Sequence, residues 1–202
     1  NWEAGVRWVG EKVSGSLAYF YTDVRDMIVR APTGNLREDQ VEVTRRNGGS
    51  GYVQGIEGSL SLKLGDDWTL FGNGTWQEGE IAGYPTDSPR QVTEPFSRLM
   101  PLTGLAGLRW DSPGRRWWVE GTVLVADDAT RLSSGDRGDT QRIPPGGTPG
   151  YTVVTLRSGW QVTDALLLTA AVENVGDEAY RVHGSGVNQP GVNFVFGAQM
   201  SF

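Results

Sequence analysis

From Val192 to Phe202, apolar residues take turns with small or polar ones. Val192, Phe194, Phe196, Ala198, Met200 and Phe202 alternate with Asn193, Val195, Gly197, Gln199 and Ser201, and side chains two apart on an extended strand share a face. One face is oily; the other is small or polar. The stretch is eleven residues long, about twice an ordinary soluble strand and the length of a tilted strand that crosses a bilayer. A long uncharged aromatic strand left as an open edge invites aggregation, whereas a barrel pairs its edges. Phe194, Phe196 and Phe202 therefore mark a C-terminal lipid-facing stave.

The same period of two recurs upstream and predicts nine strands. Trp2, Ala4, Val6 and Trp8 share a face; a turn at Gly10-Glu11-Lys12 leads into a strand from Val13 to Val29, with Leu17, Tyr19 and Tyr21 together. A polar connection, Ala31 to Gln40, precedes a long strand from Val41 to Leu64, bulged at Asn47-Gly48-Gly49-Ser50-Gly51. Gly65-Asp66-Asp67 turns into Trp68 to Trp76, and a proline-rich connection follows from Gln77 to Arg98. Leu102 to Trp110 and Trp117 to Val125 form a pair about Ser112-Pro113-Gly114. A loop from Asp127 to Gly150 leads to Tyr151–Gln161, a turn at Val162-Thr163-Asp164, the strand Leu166–Glu173, a loop from Asn174 to Gly191, and the last stave.

Connections thus alternate short and long, as periplasmic turns and extracellular loops do in bacterial outer-membrane barrels. Tryptophan sorts with the short turns: Trp8, Trp68, Trp110, Trp117, Trp118 and Trp160, six of the eight, lie within four residues of one. Amphipathic rings collect at the membrane–water interface, so these six predict a periplasmic aromatic girdle. Tyr19, Tyr21, Tyr52, Trp76, Tyr151 and Phe194 stand near the long-loop ends as candidates for the second girdle. Glu3, Arg7, Glu57, Lys63, Arg109, Glu120, Arg157 and Glu173 fall on the polar faces of their strands, where a charge avoids the ~2–4 kcal/mol that Arg or Lys costs toward lipid. A soluble β-sandwich has shorter strands and no reason to sort tryptophan by turn type.

Composition narrows the function. Glycine, at 29 of 202 residues, is about twice its usual share, which suits turns and crowded barrel walls. The absence of cysteine fits an envelope compartment. A net charge of −6 with no Lys/Arg cluster argues against nucleic acid. No apolar run reaches the ~18 residues of a spanning helix, so a membrane is crossed by strands. The chain opens on Asn1-Trp2-Glu3 without a signal segment, which places any export signal upstream.

Nine antiparallel strands cannot close on themselves without one parallel pair, and single-chain bacterial barrels have even strand counts; either the count differs by one or the chain is the C-terminal arc of a larger barrel, and the start without a signal segment favours the arc. Several stretches carry a resemblance. They are Gly15-Ser16-Leu17-Ala18-Tyr19-Phe20-Tyr21-Thr22-Asp23 with Ile28, Asn47 with Gly55-Ile56-Glu57-Gly58, and Trp68-Thr69-Leu70-Phe71-Gly72-Asn73. Glu173-Asn174 with Asp177 and Tyr180, Gly191-Val192-Asn193-Phe194 and terminal Phe202 complete the set. Together they resemble the TonB-dependent receptors of the bacterial outer membrane, with Val175-Gly176 departing from the Leu-Phe usual before the Asp. The resemblance implies that residues 1–202 are the C-terminal portion of a 22-stranded barrel whose plug domain and TonB box are absent from this chain. It implies uptake of a scarce ligand, foremost a ferric siderophore, with the plug, TonB, outer-membrane lipid and the barrel assembly machinery as partners. The alternative is a self-contained barrel of eight or ten strands with a structural or adhesion role.

Candidate chemistry is sparse. Arg131, Arg137 and Arg142 in one long loop and Arg90 and Arg98 in the preceding one are positioned to attract an anionic metal chelate, against a reading as loop solubility. His183, the single histidine, is a candidate ligand contact but has no second His or any Cys with which to build a transition-metal site. Asp127, Asp128, Asp136 and Asp139 lack calcium-loop spacing, and Arg137-Gly138-Asp139 is too short a match to an adhesion tripeptide to count. No nucleophile–base pair or phosphate cradle is present, so no enzyme and no cofactor are expected.

Overall fold

The computed structural model describes residues 1–85 and 90–201. The elements are β1 (Trp2–Val9), β2 (Val13–Arg37), β3 (Gln40–Leu64), β4 (Trp68–Gly83), β5 (Val92–Pro95), β6 (Thr103–Asp111), β7 (Trp117–Ala126), α1 (Ser134–Gly138), β8 (Tyr151–Thr163), β9 (Leu166–Glu173) and β10 (Asn193–Met200). All strands join one antiparallel sheet in the order β1-β2-β3-β4-β6-β7-β8-β9-β10, with β5 added to the upper part of β4. This is an all-β partial barrel. Nine strands lie along the path, so β1 and β10 point the same way and cannot pair antiparallel with each other.

Register carries the two faces across the sheet. Outward, Leu62, Leu70 and Leu108 lie side by side, as do Leu64, Trp68, Trp110 and Val119. Inward, Lys63, Thr69, Arg109, Glu120 and Arg157 form one row. The wall has no second layer: Leu60, Leu70, Leu108, Val123, Leu156 and Phe196 are all exposed. Burial is concentrated at the long-loop end instead, at Ala129, Leu132, Ser133, Asp136, Ile143, Thr148, Asn174 and His183.

Several sequence expectations need correction. The segment from Ala31 to Gln40 is not a loop. β2 and β3 stay paired to Arg37 and Gln40 and turn through Glu38 and Asp39, both at positive φ (49° and 64°), the geometry of a two-residue type I′ hairpin. That turn usually advertises itself by glycine or asparagine, neither of which is present. β4 runs on to Gly83, so Glu78 and Glu80 continue its outward face beyond Trp76. β10 is eight residues long, shorter than the eleven expected, and Phe202 lies outside the described residues.

Candidate functional site

The inner face carries a ladder of alternating charge. Glu120 on β7 lies between Arg109 on β6 and Arg157 on β8, 3.9 Å from each, and Arg157 also reaches Glu173 on β9 at 3.9 Å. Glu173 accepts a hydrogen bond from Asn193 on β10 (3.2 Å), and Arg109 pairs closely with Asp111 (2.9 Å). Most of these contacts are long and partly exposed, so the row keeps spare capacity for a polar partner. Trp118 belongs here: the Arg109 guanidinium lies 4.3 Å from its ring, and the ring covers Gly159, where any Cβ would collide with it. It therefore cannot join an outward girdle. Trp8, Trp68, Trp110, Trp117 and Trp160 are on the outward face, with Trp117 and Trp160 stacked at 4.9 Å.

At the other end, Trp2, Tyr19, Tyr21 and Tyr52 form an outward stack with centroids 5.1–5.8 Å apart. Phe194 and Phe196 also face outward, opposite Val172 and Ala170. Tyr151 does not; alternation from Trp160 turns it inward, where it packs on Tyr180 at 4.5 Å.

Above the inner face, the long loops fold together. Helix α1 starts with a capping box: Ser133 accepts from the Asp136 N–H, and Asp136 accepts from the Ser133 N–H. Buried Asp136 also accepts from Ser97 Oγ (2.6 Å) and from the Arg98 N–H (3.3 Å), so one carboxylate ties two loops. Burial pushes its pKa up, but these hydrogen bonds outweigh burial and hold it below the ordinary carboxylate value. Glu94 on β5 accepts from the Ser134 N–H and Oγ, which explains why a four-residue strand forms within a loop.

Four of the five candidate arginines hold acids of the chain itself. Arg98 and Arg142 converge on Asp139 (2.7 and 3.0 Å), and their side chains pack against Gly184 and Gly186 of the last loop. Arg137 donates to the Leu132 carbonyl and pairs with Glu94 (3.6 Å). Arg131 bridges Glu78 and Glu80 at 3.2 Å each, on the outward side and apart from the others. Arg90 is exposed just ahead of β5. His183 is buried, its Nδ1 2.8 Å from Thr148 Oγ1, and burial holds its pKa below the usual imidazole value. Sequence reasoning weighed Asp136 only as a calcium ligand and missed Glu94, although Ser133-x-x-Asp136 has capping-box spacing.

The last loop is organised by Asn174. Its Nδ2 donates to the Glu178 and Pro190 carbonyls (2.9 and 3.0 Å) and its Oδ1 accepts from the Glu178 N–H (2.9 Å). Asp177 accepts from the Val192 N–H (3.2 Å), at a point where Gly191 leaves no room for a Cβ. The sequence of the family described as TonB dependent receptor-like, beta-barrel matches residues 1–175. The chain belongs to this family.

Solved structures of transport proteins and receptors share the fold. The copper transporter OprC superposes with a TM-score of 0.76 at 18% identity over 99% of this chain and 30% of its own. The FrpB iron transporter from Neisseria meningitidis (F3-3 variant) gives 0.76 at 17% identity, over 99% and 30%. The siderophore receptor PiuA from Acinetobacter baumannii gives 0.71 at 15%, over 98% and 28%. This chain thus spans about 30% of the length of those receptors. No curated protein matches it in sequence. TonB-dependent receptors are outer-membrane receptors and transporters, and in such barrels short turns face the periplasm and long loops the exterior. The five outward tryptophans lie at the short-turn end of the sheet, and the long loops gather at the opposite end.

Proposed function

We propose that this chain is the C-terminal arc of the barrel of a TonB-dependent receptor that imports a scarce ligand, a ferric siderophore, across the bacterial outer membrane. The family match over residues 1–175 carries the reading. The charged inner row supports it: Glu120, shared at 3.9 Å between Arg109 and Arg157, suits contact with a polar plug inside a wide lumen. The plug, TonB and the barrel assembly machinery, the last acting on the C-terminal strand, are the partners this reading requires. Ligand selection falls to the loop cap, where Arg98 and Arg142 present cationic side chains around Asp139. The alternative of a self-contained barrel has the odd strand path against it, since β1 and β10 run in the same direction.

The test is uptake by cells expressing the complete protein, with labelled ferric chelates, haem and cobalamin as the panel. Accumulation of a ferric chelate that stops when TonB is removed is the expected result. Absence of uptake of every member of the panel overturns the reading.

A further inference from the structure

The β2–β3 ribbon continues well past the rest of the sheet, and its two faces differ. β4 leaves β3 at Ser50, whereas β2 and β3 remain paired for a further stretch up to Arg37 and Gln40. One ribbon face is internally satisfied. Glu42 accepts from Thr33 and Asn35 and pairs with Arg37, Arg46 donates to Tyr84 (2.6 Å), and Val29 and Ala31 are buried. The other face carries Ile28, Arg30, Pro32, Leu36, Val41, Val43, Arg45 and Asn47, and no carboxylate. Ile28 (64% exposed), Leu36 (69%) and Val43 (46%) are open on it.

Arg30 and Arg45 are direct cross-strand partners. Like charges in that relation destabilise a sheet, and among the described residues no acid pairs with either side chain. The face is also the upward continuation of the lipid-facing wall. Each register shift between Val24 and Ile28 adds one residue to one strand, so successive pairs keep alternating sides. Val29 beside Gly49 marks the inner side. Arg30 and Arg45 then fall on the outward side, with Tyr21 and Tyr52. They stand about six residues above Tyr52, or ~20 Å along the strand and ~14 Å in height for a tilt near 45°.

The geometry points to a docking surface for the phosphorylated sugar head of an outer-leaflet glycolipid, gripped by Arg30 and Arg45 and flanked by Ile28, Pro32 and Val43. Two cations without an acid select an anion, and guanidinium pairs phosphate well. The apolar flanks suit an amphiphile. Ordinary phospholipid headgroups reach only about 5–8 Å beyond the hydrocarbon, so the height calls for a head built of several sugars. The surface faces away from the lumen, which separates it from the import path. The inference rests on the outer-membrane reading and assigns its lipid partner a specific contact site.

The experiment measures binding of a short-core, phosphorylated lipopolysaccharide to the complete receptor in detergent, alongside the same glycolipid stripped of phosphate. The variants are R30Q/R45Q and R37Q/R116Q, the second removing equal charge elsewhere. The phosphorylated form should bind wild type and R37Q/R116Q alike, and bind R30Q/R45Q about tenfold or more weakly, as loss of a charge-assisted hydrogen bond predicts. Dephosphorylation should erase the difference. Equal binding by R30Q/R45Q and wild type overturns the proposal, as does equal loss in R37Q/R116Q. If an acidic polypeptide such as polyglutamate binds in an R30Q/R45Q-sensitive manner while the glycolipid does not, the surface belongs to a protein partner and the proposal fails. R30Q/R45Q should keep wild-type ligand uptake; a receptor that binds glycolipid but imports nothing refutes the transport reading alone.

Discussion

Leu60 offers a clean perturbation of the barrel wall. It points outward on β3, is exposed, and is flanked across the strands by Gly15, which the Trp8 ring overlies, and by Gly72. Gly72 is midway between Trp68 at the short-turn end and Trp76 toward the loop end, which sets Leu60 close to the centre of the apolar band. Arginine there should cost about 2–4 kcal/mol, the range for a lipid-facing cation near the midplane, or about 30- to 900-fold in the folded-to-unfolded ratio. Ser61, the next residue, faces inward between Ser14 and Phe71 at nearly the same depth. Arginine at that position should cost about 0.5 kcal/mol or less, as surface changes do. The assay is reversible denaturant unfolding of the complete protein in lipid vesicles. If L60R unfolds with wild type while S61R loses several kcal/mol, the assignment of faces is reversed and the reasoning fails.

Other expectations follow from the loop cap and the rim. Asn174→Ala removes three hydrogen bonds at a buried position with φ of 51°, and should raise amide exchange at Glu178 and Val192 at least about tenfold; Asn174→Asp should restore part of the protection, and unchanged exchange would refute the role. Asp136 has a lowered folded pKa, so its contribution is present above the unfolded value of about 3.9 and lost as pH falls through the folded one. Exchange in 97–98 and 133–139 should therefore accelerate below about pH 4, and Asp136→Asn should remove that pH dependence; the same acid profile in the variant would exclude it. Lipids brominated near the headgroup should quench Trp117 and Trp160 but not Trp118, read in single-tryptophan variants, because Trp118 lies under Arg109 on the inner face; strong quenching of Trp118 would restore it to the girdle.

Much of the wall was legible because one rule governs it. Alternation placed Leu60, Leu62 and Leu64 together and Arg109 opposite Trp110, and the structure keeps these faces. The same rule puts Trp118 opposite Trp117, but nearness to a turn took precedence in the sequence reading and grouped them. The ribbon tip was missed because Glu38 and Asp39 adopt positive φ without the glycine that signals it. β5 and α1 are too short to show a period, and both depend on partners far away in sequence: Glu94 on Ser134, and Asp136 on Ser97. Most ion pairs of the candidate arginines were not legible because their acids, such as Glu78 and Glu80 for Arg131, lie dozens of residues away, although Asp139 is only three residues before Arg142.

The central claim is that hydrocarbon touches the outward face of this sheet. This chain has no cysteine, so with any cysteine elsewhere in the complete protein replaced, nitroxides can be placed singly from Trp68 to Trp76 in vesicles, and their collision rates with oxygen and with a water-soluble nickel chelate compared. Oxygen should dominate at 70, 72 and 74 and the chelate at 69, 71 and 73, in strict alternation. Equal access of the chelate to both sets would contradict a membrane wall, and the import function would fall with it.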